Sequence, residues 1–211
     1  MNITKYGHCC LLIETRGLRI LTDPGSYSTM QSKARDVDVV LITHEHPDHL
    51  HIESLKEILK NNPAAKVITN SAVGKILDGE RIAYDKVSHG ETHDIKGVHI
   101  QGFGTRHEEI YEEIGQVENT GYFIDNKLFY PGDAFYNPER EVDILALPVA
   151  GPWVKIGDAI RYALEVKPRV AFPVHDGGLV NGGMAHRTPS MVLPKYGIEF
   201  VVIEVGETKK L

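Results

Sequence analysis

The run Val37-Asp38-Val39-Val40-Leu41-Ile42-Thr43 is mostly apolar and ends in His44-Glu45-His46-Pro47-Asp48-His49. It has the length and character of a buried strand. Three imidazoles and a carboxylate so close to the end of such a strand are hard to explain by packing, because these groups are costly to desolvate without partners. A metal ion supplies such partners. His44 and His46 sit two apart, so on an extended segment they project to one side and can pinch one cation. Asp48 and His49 follow across a turn containing Pro47, which re-aims them towards a second. Nitrogen and carboxylate donors together suit zinc best, with iron, manganese, cobalt or nickel as alternative occupants.

The segment Thr43 to His49 resembles the signature T-H-x-H-x-D-H of the metallo-beta-lactamase fold superfamily, whose members are mostly metal-dependent hydrolases. The opening Tyr6-Gly7-His8-Cys9-Cys10-Leu11-Leu12-Ile13-Glu14 and the triplet Thr22-Asp23-Pro24 resemble its short, single-domain branch, the UPF0173-like or UlaG-like metal-dependent hydrolases. Further motifs occur in family order. His107 follows a strand and the turn Gly104-Thr105-Arg106, Gly132-Asp133 follows a hairpin, and His175 closes a late strand.

The resemblance implies an α/β fold, a four-layer αβ/βα sandwich of two mixed β-sheets with helices on the outer faces. In it His44, His46 and His107 would hold one metal, Asp48, His49 and His175 a second, and Asp133 would bridge them. Asp48 would also orient a nucleophilic water, with Gly132 permitting close backbone approach. The implied chemistry is hydrolysis of an ester, lactone or phosphodiester bond by a metal-bound hydroxide, with two divalent ions, zinc first and manganese or iron(II) as alternatives. A metal-binding protein of this fold with little turnover, or an iron-dependent redox member, are the competing readings. The redox branch usually depends on a flavin partner domain, and a single-domain chain is not expected to carry one.

With 211 residues and 42% hydrophobic content, the chain can bury one sizeable core, and no composition shift divides it, so one domain over 1–211 is expected. The net charge of -6 argues against a sequence-independent grip on nucleic acid. It leaves room for an anionic small-molecule substrate, since two divalent ions make a site locally positive. A homo-oligomer is compatible with these data. The start Met1-Asn2-Ile3-Thr4-Lys5-Tyr6 lacks the features of a signal peptide, and no run approaches ~20 apolar residues, so no membrane association and a cytoplasmic location are expected. Cys9 and Cys10 are the only cysteines; as strand neighbours they point to opposite faces, unbridged, which fits a reducing compartment.

Strands are expected at Cys9 to Ile13 and Leu18 to Leu21, joined by a turn at Arg16-Gly17, and at Lys66 to Thr69, Arg81 to Tyr84 and Val98 to Phe103. Gly121 to Ile124 and Lys127 to Tyr130 form a hairpin around Asp125-Asn126, and Val142 to Leu147, Arg169 to Val174 and Phe200 to Val205 complete the strands. Helices are expected after the motif, with Ile52, Leu55, Ile58 and Leu59 on one face and Asn61-Asn62-Pro63 as the stop, then at Ala72 to Leu77 and Asp158 to Val166. The Gly-rich tail Gly177 to Ser190 reads as a flexible loop.

Further positions are candidates for the pocket. By resemblance Asp23 orients a ligand histidine, the alternative being a turn aspartate before Pro24. His8 is expected near the pocket, the alternative being an ordinary strand-end histidine. Trp153, the only tryptophan, and Lys155 either line the pocket or serve as packing anchor and surface charge, and His186 reaches the pocket or is an exposed loop histidine. His51, His89, His93 and His99 are assigned to the surface. Glu108, Glu109, Glu112 and Glu113 read as a solvated face, with an acidic loop over the pocket entrance as the alternative.

Overall fold

The central apolar run forms a strand because both of its faces are covered. Val39 and Leu41 point into the space between two β-sheets, while Val40 and Ile42 pack beneath helices. The computed structural model describes residues 1–114 and 116–211. In chain order the first half comprises β1 (Asn2–Gly7), β2 (Cys10–Thr15), β3 (Leu18–Thr22), β4 (Val39–Ile42), α1 (Ile52–Asn61), β5 (Lys66–Thr69), α2 (Ser71–Gly79) and β6 (Asp85–Lys86). The second comprises β7 (Thr92–Ile95), β8 (Val98–Phe103), β9 (Gly121–Ile124), β10 (Leu128–Tyr130), β11 (Ile144–Pro148), α3 (Ile156–Val166), β12 (Val170–Val174), α4 (Gly183–Val192), β13 (Glu199–Phe200) and β14 (Thr208–Lys210).

One sheet runs β14-β1-β2-β3-β4-β5-β6 and the other β13-β12-β11-β10-β9-β8-β7. Both are mixed. Pairing is antiparallel from β14 to β3 and parallel from β3 to β6, and likewise parallel from β13 to β10 and antiparallel from β10 to β7. Leu41, Ile124, Tyr130 and Phe172 meet between the sheets. Leu55, Ile58, Val73 and Leu77 lay α1 and α2 on the outside of the first sheet, and Ile160, Tyr162 and Ala163 lay α3 on the outside of the second. The architecture is the four-layer αβ/βα sandwich of the metallo-beta-lactamase fold. Cys9 and Cys10 are free and buried on opposite sides of the first sheet.

Two expected strands are corrected. Arg81 to Tyr84 is not a strand, because the backbone there closes α2: Arg81 N–H bonds to Asp78 and Ile82 N–H to Leu77. Pairing with β5 begins only at Asp85. Phe200 to Val205 leaves its sheet after Phe200 and crosses to the other, where Val205 lies beside Lys5 and β14 pairs with β1. The tail expected as a loop contains α4, and β1 and β7 were not anticipated. His51, an exposed residue as expected, opens α1 by accepting the Ser54 N–H at 3.3 Å.

Candidate metal centre

The residues of interest follow strand ends and converge on one edge of the sandwich. His8 lies in the turn after β1, Asp23 after β3, His44 to His49 after β4, Asp133 after β10 and His175 after β12; His107 lies beyond β8. The loop carrying His46 to His49 is held against Pro24-Gly25. A Cβ on Gly25 would stand 1.8 Å from the Asp48 carbonyl, so only glycine allows this approach. Gly132, at φ +65°, is similarly confined between Asn119 and Thr43, and the Asn119 amide oxygen accepts the Asp133 N–H at 3.1 Å.

His44, His46 and His107 each bring a ring nitrogen within 4.8 Å of the others, and His8, Asp48, His49 and His175 form a second such group. Asp133 lies between the groups. Its Oδ1 is 3.2 Å from His49 Nε2, and its Oδ2 is 2.9 Å from His175 Nε2, 3.2 Å from His107 Nε2 and 3.9 Å from His44 Nε2. Trp153 Nε1 donates to the same Oδ2 at 3.2 Å.

Hydrogen bonds around these groups determine where each ring proton sits. His49 Nδ1 donates to Asp23 Oδ2 at 2.7 Å, which turns the lone pair of Nε2 inward. His44 Nδ1 donates to Thr43 Oγ1 at 3.0 Å, whose hydroxyl donates on to Asp23, and His107 Nδ1 donates to the Glu108 carbonyl at 2.5 Å. His8 is arranged the other way. Its Nδ1 accepts the Gly177 N–H at 3.1 Å, so in the neutral ring Nε2 carries the proton and donates to Asp48 Oδ2 at 3.2 Å. Burial pushes the His8 pKa down, which keeps that ring neutral. His8 therefore holds Asp48 instead of offering a lone pair of its own, and the second group is left with Asp48, His49 and His175.

The donor set fits a divalent metal. His44 Nε2, His49 Nε2, His175 Nε2 and Asp133 Oδ1 are buried without a hydrogen-bond partner, an arrangement that is costly unless a cation occupies the space they face. Burial pushes the pKa of His44 well down and lowers that of His46, favouring the neutral, coordinating form. Against its burial, Asp133 is held well below the usual carboxylate range by the charges of His49 and His175. In the metal-free chain His175 is, despite burial, pushed up to about 10 by Asp133, and His49 is raised well above its ordinary value for the same reason. Burial pushes the neighbouring Cys9 thiol up, which disfavours a thiolate ligand.

Among the pocket candidates, His8, Asp23 and Trp153 stand at the centre, and two do not. Lys155 is exposed and starts α3, its carbonyl accepting the Asp158 N–H at 2.8 Å, so its side chain leaves at the surface outside the cavity. His186 lies on α4 and bonds Asp176 Oδ2 at 2.8 Å; it is off the wall of the cavity at the centre and lines an adjoining one that shares His8, Tyr27 and Leu179 with it. His89, His93 and His99 lie outside the centre, as expected. Glu109, Glu112 and Glu113 are exposed, yet Ile110 and Ile114 on the same segment line the cavity, which puts that segment at its entrance. The sequence reading missed Tyr130, whose hydroxyl donates to Asp23 at 2.6 Å, and the wall residues Tyr27, Ile110, Ile114 and Leu179. Periodicity marks them only as ordinary apolar or turn residues.

The family model of the beta-lactamase superfamily domain matches residues 2–175. The chain belongs to this superfamily. Protein Rv0786c of Mycobacterium tuberculosis is 36% identical over 180 residues, covering 83% of this chain and 84% of that one. The UPF0173 protein PYRAB01190 of Pyrococcus abyssi is 30% identical over 194 residues, covering 88% and 87%. Other UPF0173 relatives are named metal-dependent hydrolases. The structure of Igni18, a metallo hydrolase from Ignicoccus hospitalis, shares the fold with a TM-score of 0.78 at 20% identity, covering 100% of this chain and 98% of that one. The chain thus belongs to the metallo-beta-lactamase superfamily and carries His/Asp clusters suited to metal. No helix among the described residues is long and apolar enough to cross a membrane.

Proposed function

We propose that the chain is a dinuclear hydrolase, acting in the cytoplasm, that cleaves an ester, lactone or phosphodiester bond in a small molecule. The observation that carries this reading is the set of inward-facing buried atoms without partners on His44, His49, His175 and Asp133. His44, His46 and His107 would hold one divalent ion and Asp48, His49 and His175 the other, with Asp133 offering one oxygen to each. Zinc suits this donor set best, and manganese or iron(II) are alternatives. Such a pair supplies Lewis acidity, which makes water nucleophilic near neutral pH and polarises the bond under attack. The free thiols of Cys9 and Cys10 support a reducing compartment.

The chain's own groups do the rest. Asp48 lines the cavity, and against its partial burial, the neighbouring His175 ring, 3.4 Å away, and the hydrogen bond from His8 hold its carboxyl far below the usual carboxylate range. It is therefore ionised, and serves as an acceptor that orients a water proton more than as a strong base. His8 fixes its angle, and Trp153 and Asn119 fix Asp133.

The test is metal content per chain by elemental mass spectrometry, before and after reconstitution, paired with turnover of generic ester and phosphodiester substrates. Two zinc or manganese ions per chain with turnover support the reading, and His46→Ala or Asp133→Asn should remove metal and activity together while His89→Ala changes neither. Retained iron with oxidative turnover, or no bound metal after reconstitution, overturns it.

A further inference from the structure

We propose that the substrate is an uncharged ester or lactone with a hydrophobic acyl or aryl group, and that the site discriminates against anions. This rests on the hydrolase reading of the same site. The cavity beside the centre has a volume of about 600 Å3, enough for a ligand well beyond an acetyl group. Its floor is His46, Asp48, His107, Asp133 and His175. Its walls are Tyr27, Ile110, Ile114, Pro152, Trp153 and Leu179, which come from four separate connections and are apolar or aromatic. Among the described residues no lysine or arginine lines it.

Three observations bear on charge. A phosphate or carboxylate is usually gripped by a guanidinium, an ammonium or a helix N-terminus, and the walls supply no such cation. The nearby Lys5 is buried and paired with Asp176, and Lys155 lies outside the cavity. The entrance segment carries exposed Glu109, Glu112 and Glu113, whose field repels an approaching anion, as does the net charge of -6. Finally, Ile114, Tyr27 and Leu179 are 63%, 56% and 38% exposed at the cavity mouth. Large apolar side chains grouped around a polar floor gain burial when an apolar ligand enters. The metal centre is then left for the reacting carbonyl. Water adds to the carbonyl carbon, the acyl C–O bond breaks and a proton of that water passes to the departing oxygen, so an ester gives an acid and an alcohol and a lactone opens to one hydroxy acid.

Trp153, the only tryptophan, lies in the wall and reports occupancy by its fluorescence. The full metal-free chain is titrated with N-methyl amides of butanoic, hexanoic and octanoic acids and with hexyl phosphate, and the metal-loaded chain is assayed on p-nitrophenyl acetate, butyrate and octanoate and on bis(p-nitrophenyl) phosphate. Amide affinity should rise about two- to fourfold per methylene, hexanamide should bind more tightly than hexyl phosphate, and kcat/KM should rise with ester chain length. Ile114→Lys, at an exposed position, should weaken octanamide binding and strengthen hexyl phosphate binding. Flat chain-length dependence, or preference for either phosphate ligand or substrate, overturns this inference and leaves the hydrolase reading standing. Graded amide binding without turnover of any substrate supports the pocket assignment and overturns the hydrolase reading instead.

Discussion

Asp23 Oδ2 and His49 Nδ1 lie 2.7 Å apart, and both side chains are wholly buried. The same carboxylate accepts the Tyr130 hydroxyl at 2.6 Å, the Thr43 hydroxyl at 2.7 Å and, through Oδ1, the Thr43 N–H at 2.8 Å. One side chain thus orients a histidine of the centre, holds the first residue of the central motif, and ties the first sheet to β10 of the second. Asp23→Ala leaves three buried donors unpaired, on His49 and twice on Thr43, while the Tyr130 hydroxyl keeps the Cys9 carbonyl at 3.0 Å. At about 1–3 kcal/mol for each unsatisfied group, it should cost ~3 kcal/mol or more of stability. Metal affinity should fall about 10- to 100-fold, the usual effect of losing such a partner. Urea unfolding and metal titration check both, and a variant with unchanged affinity would show that His49 needs no help from Asp23.

His8 makes a sharper distinction. Its ring packs against His175 with centroids 4.2 Å apart and planes tilted by 55°, and the Gly177 N–H fixes its proton on the side facing Asp48. His8→Ala should keep the full metal content and lower kcat by about tenfold through a misplaced Asp48. Loss of one metal equivalent would make His8 a ligand after all.

The pH dependence separates the metal-free from the loaded protein. In the metal-free chain His175 is raised from its ordinary 6.5 to about 10. A group raised in the folded state contributes stability that is complete below 6.5 and is lost as pH rises through about 10. Metal requires the neutral ring, so binding competes with that proton and affinity increases with pH. The melting temperature of metal-free protein should therefore decline between about pH 7 and 10, while the increase in it produced by added zinc grows over the same interval. A zinc-induced shift that is constant across this range would remove His175 from the ligand set.

These relationships differ in how far the sequence reveals them. The segment His44 to His49 is local, and its period-two histidines and Pro47 turn are legible without a partner in view. His107, Asp133 and His175 are legible only because the motif order resembles a family's. Tyr130 and Asp23 are 107 residues apart, and neither residue type signals the contact. Lys155 and His186 looked equivalent to Trp153 as loop residues, and what separates them is the start of α3 and the unanticipated α4. The closing strand was misplaced because its final partner, β1, lies at the opposite end of the chain.

The last relationship is behind the centre. Lys5 on β1 and Asp176, the residue after His175, form an ion pair at 2.6 Å almost out of contact with water. Lys5 Nζ also donates to the Pro173 carbonyl at 3.1 Å, and His186 Nε2 sits 2.8 Å from the Asp176 carboxylate. Although burial raises it, the Asp176 carboxyl is held below its ordinary 3.8 by hydrogen bonding from His186 and by Lys5. Its contribution to stability is therefore complete above that value and is lost as pH falls through the lower native pKa. Asp176→Asn leaves a buried ammonium without its countercharge and should cost about 3–5 kcal/mol. The double variant Lys5→Met, Asp176→Leu removes both charges and should recover much of that loss, because the desolvation cost goes with the attraction. Urea unfolding at pH 7 measures all three chains. A single variant as stable as the parent would mean that the pair is hydrated, and that the position of His175 is maintained by β12 alone.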